Sequence, residues 1–183
     1  LSVQGGELFG VLGPNGAGKT TTIRLLLNFI RPSRGHARVF GLDTQKDSIR
    51  IRARVGNLPG EFGLYQNMNG RQFLKFMASL RPKVEEGYIG ELAQRLDLDL
   101  SRPTQGYSHG MRQKLGLIQA LMHRPELLIL DEPTTGLDPL MQQEAHRLLK
   151  EAKESGSTIF FSSHILPEVE RIADRGGIIR DGR

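Results

Sequence analysis

Gly13-Pro14-Asn15-Gly16-Ala17-Gly18-Lys19-Thr20 follows the spacing G-x-x-x-x-G-K-[ST], and it lies between an apolar run and a helical pattern. Upstream, Glu7 to Leu12 reads as a buried strand. Downstream, Gly18 to Ile30 places Ile23, Leu26, Leu27 and Ile30 on one helical stripe. Strand, loop and helix in that order are the context in which this spacing holds a phosphate. Glycines at 13, 16 and 18 let successive backbone amides curl around an anion, and the helix start adds its positive dipole end. Lys19 is then the side chain that reaches the terminal phosphates of a nucleotide. Thr20 offers a hydroxyl to the magnesium ion that accompanies them.

Working outward, 183 residues suffice for one α/β domain, alone or with a small subdomain. Hydrophobic residues at 38% and charged residues at 25% are ordinary for a globular chain and argue against extended disorder. The net charge of +5 is scattered, densest at Arg50, Arg52 and Arg54, and suits a solvated surface, an anionic membrane face or an acidic partner equally. With no cysteine, disulfides and thiol chemistry are excluded, which fits a reducing compartment. No apolar run approaches the length of a membrane span and no signal segment is visible, so a membrane role would come through a partner.

In chain order, Leu1 to Val3 reads as the end of a strand, and His36 to Phe40 as another. Ile49 to Arg54 is ambiguous, and Val55 to Leu58 is extended up to Pro59-Gly60. Residues from about 65 to 106 carry helical stripes, first Phe73, Phe76, Met77 and Leu80, then Ile89, Leu92, Ala93 and Leu96, separated by Arg81-Pro82. They form a small helical subdomain in which Phe73 and Phe76 belong to the core. After Tyr107 to Gly110 a long helix runs to about His123, then a fully apolar strand, Leu127 to Leu130. Asp138-Pro139 starts a helix ending at Ser155-Gly156, Thr158 to Ser162 is a strand, and a last helix spans about Glu168 to Ala173. Asp181-Gly182 is a hairpin turn without its return strand, so the chain is expected to continue beyond both ends.

Three of these stretches converge on one task. Asp131 follows four apolar residues, which puts its carboxylate at a strand's carboxyl end, where it would share magnesium with Thr20. Glu132, one residue on, would aim past the metal at an attacking water as general base. Alone, such a pair is as readily a cap or a surface feature; the upstream phosphate loop favours chemistry. His164, just after another strand, is placed to donate to a γ-phosphate. The remaining histidines have no metal-ligand spacing, and no zinc site is expected. Tyr107 to Gln113 is a second loop-to-helix start that reads either as an ordinary helix capped by Ser108 or as a second anion site.

Together, Gly13 to Thr20, Tyr107 to Gln113, Leu127 to Glu132, Thr135 to Asp138 and His164 resemble, in order and spacing, the ATP-binding-cassette ATPases over nearly the whole chain. The stretches G-P-N-G-A-G-K-T-T-T, S-H-G-M-R-Q-K and L-D-E-P-T-T-G-L-D-P are similar to those of ABC transporter subunits in bacterial drug and antibiotic exporters. The resemblance implies a mostly parallel sheet flanked by helices, a small antiparallel part and the inserted helical subdomain. It implies ATP and magnesium as ligands, with Lys19, Glu132 and His164 catalytic. Nucleotide contact would extend over Gly13, Pro14, Asn15, Gly16, Ala17, Gly18, Lys19, Thr20 and Thr21. It also implies a head-to-tail dimer, here a homodimer, in which Ser108, His109 and Gly110 of one subunit meet the nucleotide on the other's Lys19. ATP joins that pair and hydrolysis opens it, with Asp138 in the loop crossing the interface. The partner would be an integral membrane permease at the cytoplasmic face of a bacterial cell membrane; nucleic acid is not expected. A soluble cassette protein acting on ribosomes or nucleic acid is the alternative, disfavoured because neither tandem cassettes nor a long coiled-coil insertion is present.

The chain departs from the family at two motifs. Where L-S-G-G-Q is usual, Tyr107, His109 and Met111 replace three of the five residues. The glutamine expected after Leu58 is replaced by Gly60 and Glu61, and a carboxylate at Glu61 would ligate magnesium while repelling a γ-phosphate. The aromatic that stacks on adenine would lie before Leu1.

Overall fold

The computed structural model describes residues 1–61, 63, 64, 67–81 and 84–182. Its centre is a five-stranded parallel sheet in the order β4 (Val55–Leu58), β5 (Leu127–Asp131), β6 (Thr158–Ser163), β1 (Leu8–Leu12), β7 (Arg175–Ile178). A separate antiparallel pair joins β2 (Arg38–Val39) to β3 (Leu42–Asp43).

The central strands β1, β5 and β6 are near-continuous apolar runs buried on both faces, as the middle of a parallel sheet demands, while β7 is an exposed edge. Phe9, Val11, Leu127, Ile129 and Phe160 face one way and pack with Ile23 of α1 (Lys19–Leu26), with Leu27 just past its end and with Ile51 of α2 (Ser48–Ala53). Their neighbours Leu8, Leu128, Leu130, Ile159 and Phe161 face the other way. That second layer is closed by α3 (Gly70–Ser79), α4 (Glu86–Arg95), α5 (His109–Leu121), α6 (Pro139–Glu154) and α7 (Leu166–Ile172). The period-two split of each strand thus builds two cores from one sheet. Arg95 ties α4 to α6 through Glu144 and Glu151, each at 2.6 Å.

Several local expectations are corrected. Helix α1 stops at Leu26, because Asn28 takes the left-handed conformation (φ 56°) and the amides of Asn28 and Phe29 turn back to Leu25 and Arg24. This left-handed C-terminal lock takes Ile30 off the stripe and leaves it exposed. Phe76 also points outward at 39% exposure, whereas Phe73, on the buried side of α3, is 2% exposed. Leu1 to Val3 carry no strand. The strand expected at His36 to Phe40 shortens to Arg38–Val39, since Phe40 (φ 55°) and Gly41 (φ 74°) form the hairpin turn to β3. Ile49 to Arg54 resolves as α2 with Arg54 at its end. Before Asp181-Gly182, strand β7 runs from Arg175 to Ile178 and pairs with β1; Gly182 then donates to the carbonyl of Ala17 at 2.9 Å, so the turn closes on the phosphate loop. Tyr65, at the start of the expected helical subdomain, and Pro82, between its two stripes, lie outside the described residues.

Candidate active site at the carboxyl edge of the sheet

Because β5, β6 and β1 are neighbours and all parallel, their carboxyl ends bring Asp131, Ser163 and Gly13 to one edge. The amide of Gly13 donates to the Ser163 carbonyl at 3.2 Å. Ligands of open parallel sheets bind at this edge.

Gly16 (φ 82°) and Gly18 (φ 110°) turn the loop in conformations that side chains resist. Helix α1 begins with no side-chain cap, which leaves its first amides free for an anion. Helices α5 and α6 differ: Ser108 accepts from the amide of Met111, and Asp138 from those of Leu140 and Met141. Lys19 is only 6% exposed and arches back over the loop, donating to the carbonyls of Gly13 (2.7 Å) and Pro14 (3.1 Å). Its ammonium also lies 3.4 Å from Oε1 of Glu132.

The Thr20 hydroxyl donates to Oδ2 of Asp131 at 2.6 Å, while Ser162 donates to the other carboxylate oxygen. The two residues expected to share magnesium therefore touch. Among the described residues no cluster of three or more acidic, histidine or cysteine side chains forms a cage for a metal. Magnesium is commonly held by one or two protein oxygens together with phosphates and waters, and the Thr20 hydroxyl and Asp131 carboxylate are such a pair.

Glu132 occupies the left-handed region at φ 50°, an uncommon backbone state for a residue with a β-carbon. It is held there from both sides, its amide donating to Ser162 Oγ (3.0 Å) and its carbonyl accepting from Gln113 Nε2 (2.9 Å). The carboxylate meets Lys19 through Oε1, while Oε2 accepts from Thr135 (3.2 Å) and lies 3.1 Å from Nδ1 of His164. A continuous line Lys19, Glu132, His164 results. Beside it opens a cavity of about 320 Å³, whose lining includes Thr20, Asp131, Glu132, Glu61, His109 and Gln113.

The residues expected at the site thus fall into two groups. Gly13 to Thr20, Asp131, Glu132 and His164 assemble within the chain, with Glu61 exposed on the cavity's lip. In the second group Ser108 is exposed and occupied as a cap, and Gly110 rests against Gly136. Asp138 is exposed at the start of α6. From the Tyr107 to Gln113 stretch, His109 and Gln113 line the Glu132 cavity of their own subunit. Sequence reasoning passed over Ser162 and the roles of Thr135 and Gln113 beside Glu132. Ser162 was legible only as the polar end of an apolar strand, and its link to Asp131 spans 31 residues.

The description "ABC transporter" belongs to the family model that matches residues 1–135. The bacitracin transport ATP-binding protein BcrA of Bacillus licheniformis is 42% identical over all of this chain and 61% of that protein. The ABC transporter ATP-binding protein NatA of Bacillus subtilis is 37% identical over all of the chain and 76% of its own length. A solved ATP-binding subunit of an ABC transporter superposes with a TM-score of 0.90 at 31% identity, covering all of this chain and 78% of that one. The ATP-binding cassette MJ0796, solved as a dimer bound to ADP and Pi, shares the fold at TM-score 0.89 and 21% identity, over 84% of its chain. The chain spans about 60% of the length of the two bacitracin-transport relatives that it matches. With the family's model over most of its length and the phosphate loop, Asp131 and Glu132 joined at one sheet edge, this chain belongs to the ATP-binding proteins of ABC transporters.

Proposed function

We propose that the protein binds MgATP at the carboxyl edge of its sheet, hydrolyses it between two head-to-tail subunits and thereby drives a separate membrane permease, as an exporter. The observation that carries this is the line Lys19, Glu132, His164 lying behind the Thr20–Asp131 contact. Lys19 and the free amides of α1 bind the phosphates. An arriving γ-phosphate competes with Glu132 for Lys19, so nucleotide binding releases the carboxylate to take a proton from the attacking water. His164 meets Glu132 through Nδ1 at 3.1 Å, which places its ring beside the same crevice, next to the expected γ-phosphate. Thr20 and Asp131 would hold magnesium, which would supply positive charge against the phosphates, and Glu61, which lines the same cavity, would offer a further carboxylate oxygen.

Ser108 and Gly110 are exposed or half-buried on the start of α5, ready for the nucleotide of a second copy, and the same chain carries both halves of the site, which favours a homodimer. No helix among the described residues is long and apolar enough to cross a membrane, consistent with a peripheral place on the cytoplasmic face. The permease would dock in the cavity of about 430 Å³ between the sheet domain and α3, lined by Leu27, Phe29, Arg52, Leu64, Phe73 and Met77. Residues from about 65 to 106 then act as a helical subdomain carrying one wall of that groove. Export of an antibiotic-like compound is supported by the bacitracin-transport relatives.

The test is ATP hydrolysis by the full-length protein, with and without its permease in lipid. Turnover rising with the permease and falling about 100- to 10,000-fold in Glu132→Gln is expected. Turnover indifferent to Glu132 would overturn the assignment, and stimulation by RNA rather than the permease would move the protein to the soluble cassette class.

A further inference from the structure

Behind the catalytic edge lies a buried carboxylate for which the mechanism above has no use. Glu168, in the first turn of α7, is 7% exposed. Its Oε1 accepts from the Thr134 hydroxyl at 2.6 Å and lies 3.1 Å from Nε2 of His146 on α6. Its Oε2 accepts from Ser163. All four residues are buried, with Thr134 at 4%, His146 at 7% and Ser163 at 1% exposure.

The two hydroxyls mark what the carboxylate joins. Thr134 stands two residues after Glu132, inside the turn that the amide of Thr135 closes on the Glu132 carbonyl at 3.2 Å. Ser163 immediately precedes His164, and its oxygen also accepts from the amide of Ile165 at 3.0 Å, so the histidine is bracketed on both sides. One carboxylate therefore straps the loop that carries Glu132 to the loop that carries His164, and these two meet at 3.1 Å. Burial works against the ionised form of Glu168, yet the bonds from His146, Ser163 and Thr134 hold it ionised, with its pKa below the ordinary carboxylate value. A buried ion is weak as a source of stability, because apolar residues of similar volume do as well or better. What an ionised acceptor adds is direction, since it fixes which way two hydroxyls point.

We infer that Glu168 is a positioning residue for hydrolysis, setting the separation of Glu132 and His164 by clamping Thr134 and Ser163. The inference rests on the catalytic reading of Glu132 and His164 given above. Glu168 touches neither of the phosphate-loop residues Lys19 and Thr20, so its loss acts on turnover and not on nucleotide affinity.

The experiment is steady-state ATP hydrolysis by the full-length protein for wild type, Glu168→Ala, Glu168→Gln, His164→Ala, Glu132→Gln and the double variant H164A/E168A. Glu168→Ala is expected to lower kcat about 10- to 100-fold with KM for ATP within about twofold. Glu168→Gln, which keeps an acceptor in the same volume, should recover kcat to within about threefold of wild type. In the double variant, Glu168→Ala should add no loss beyond that of His164→Ala, since it acts through that residue. If Glu168→Ala does not fold, Thr134→Val and Ser163→Ala each remove one strap and should each cost about 3- to 10-fold in kcat. Wild-type kcat in Glu168→Ala with only a lowered Tm, wild-type kcat in both strap variants, or a full multiplicative loss in the double variant would each overturn the proposal. Wild-type turnover by Glu132→Gln and His164→Ala would overturn the site assignment and the proposal with it; loss in those two beside an unaffected Glu168→Ala overturns the proposal alone.

Discussion

Two helices of this protein start from glycine-containing loops at the same side of the sheet, and they start differently. Helix α1 has no side-chain cap, and its first residue, Lys19, is buried against Glu132 and the loop's own carbonyls. Helix α5 is capped by Ser108 in the ordinary way, and Ser108 and His109 are exposed. The first start is completed by its own chain, through β5 and β6. The second finishes its hydrogen bonds locally and presents a polar face outward, which is what half of a shared site requires. Self-sufficiency at α1 and incompleteness at α5 are the physical content of the proposed dimer.

The largest expected effect separates the two starts. Lys19→Ala should abolish measurable ATP binding and turnover in the isolated subunit, because it removes a buried cation that faces the phosphates. Ser108→Arg should leave ATP affinity of the monomer within about twofold, yet lower turnover about 100-fold or more and remove the ATP-dependent dimer from sizing chromatography. Titration with a fluorescent ATP analogue, run beside hydrolysis, distinguishes them. Equal loss of affinity in both variants would erase the contrast and with it the shared-site reading.

A smaller effect probes how the second start is aimed. Gly136 has φ 78°, and a β-carbon there would lie 2.2 Å from Cδ2 of His109, while the Gly136 carbonyl packs on Gly110. Gly136→Ala should therefore destabilise by about 1–2 kcal/mol through the left-handed backbone. It should also swing the exposed His109 ring out of the Glu132 cavity, lowering dimer-dependent turnover more than monomer affinity. Thermal unfolding and the same pair of assays read both consequences. A destabilised variant with wild-type turnover would show that His109 is aimed without consequence.

The contrast also explains what was legible in the sequence. The α1 start was readable because its parts are contiguous: strand, glycines, Lys19 and Thr20 lie within thirteen residues, Leu8 to Thr20. Asp131 and Glu132 were readable because four apolar residues point at them. The left-handed backbone at Glu132 was not, since φ is imposed by Ser162 and Gln113, 30 and 19 residues away. Glu168 was invisible for the same reason: its ligands come from residues 134, 146 and 163. Helix ends misled where one residue decided them, as Asn28 did by ending α1 before Ile30. Phe76 misled because hydrophobicity alone does not say on which side of a stripe's edge a residue falls.

The far end of α5 supplies the smallest and most separable prediction, because it asks whether this helix is anchored independently of its exposed start. His123 lies just past Leu121, and its ring nitrogens are buried, with only the Val55 backbone as a weak partner. Burial, followed by the nearby positive charge of Arg81, pushes its pKa from 6.5 down to about 4. Between those values the unfolded chain binds more protons than the folded one, so stability must fall as the solution is acidified through that window. The contribution is fully present above the unfolded value and declines towards the folded one. For a ring that is only partly enclosed, the decline amounts to about 1–2 kcal/mol after solvent screening is allowed for. His123→Met fills similar volume without a titratable nitrogen. It should match or slightly exceed wild-type stability at neutral pH and surpass it progressively below about pH 6, in denaturant melts at several pH values. A parallel decline in both proteins would place the acid sensitivity elsewhere. A variant that outlasts wild type in acid while keeping its ATP-dependent dimer would show that α5 is secured by the core at one end and left free to serve a partner at the other.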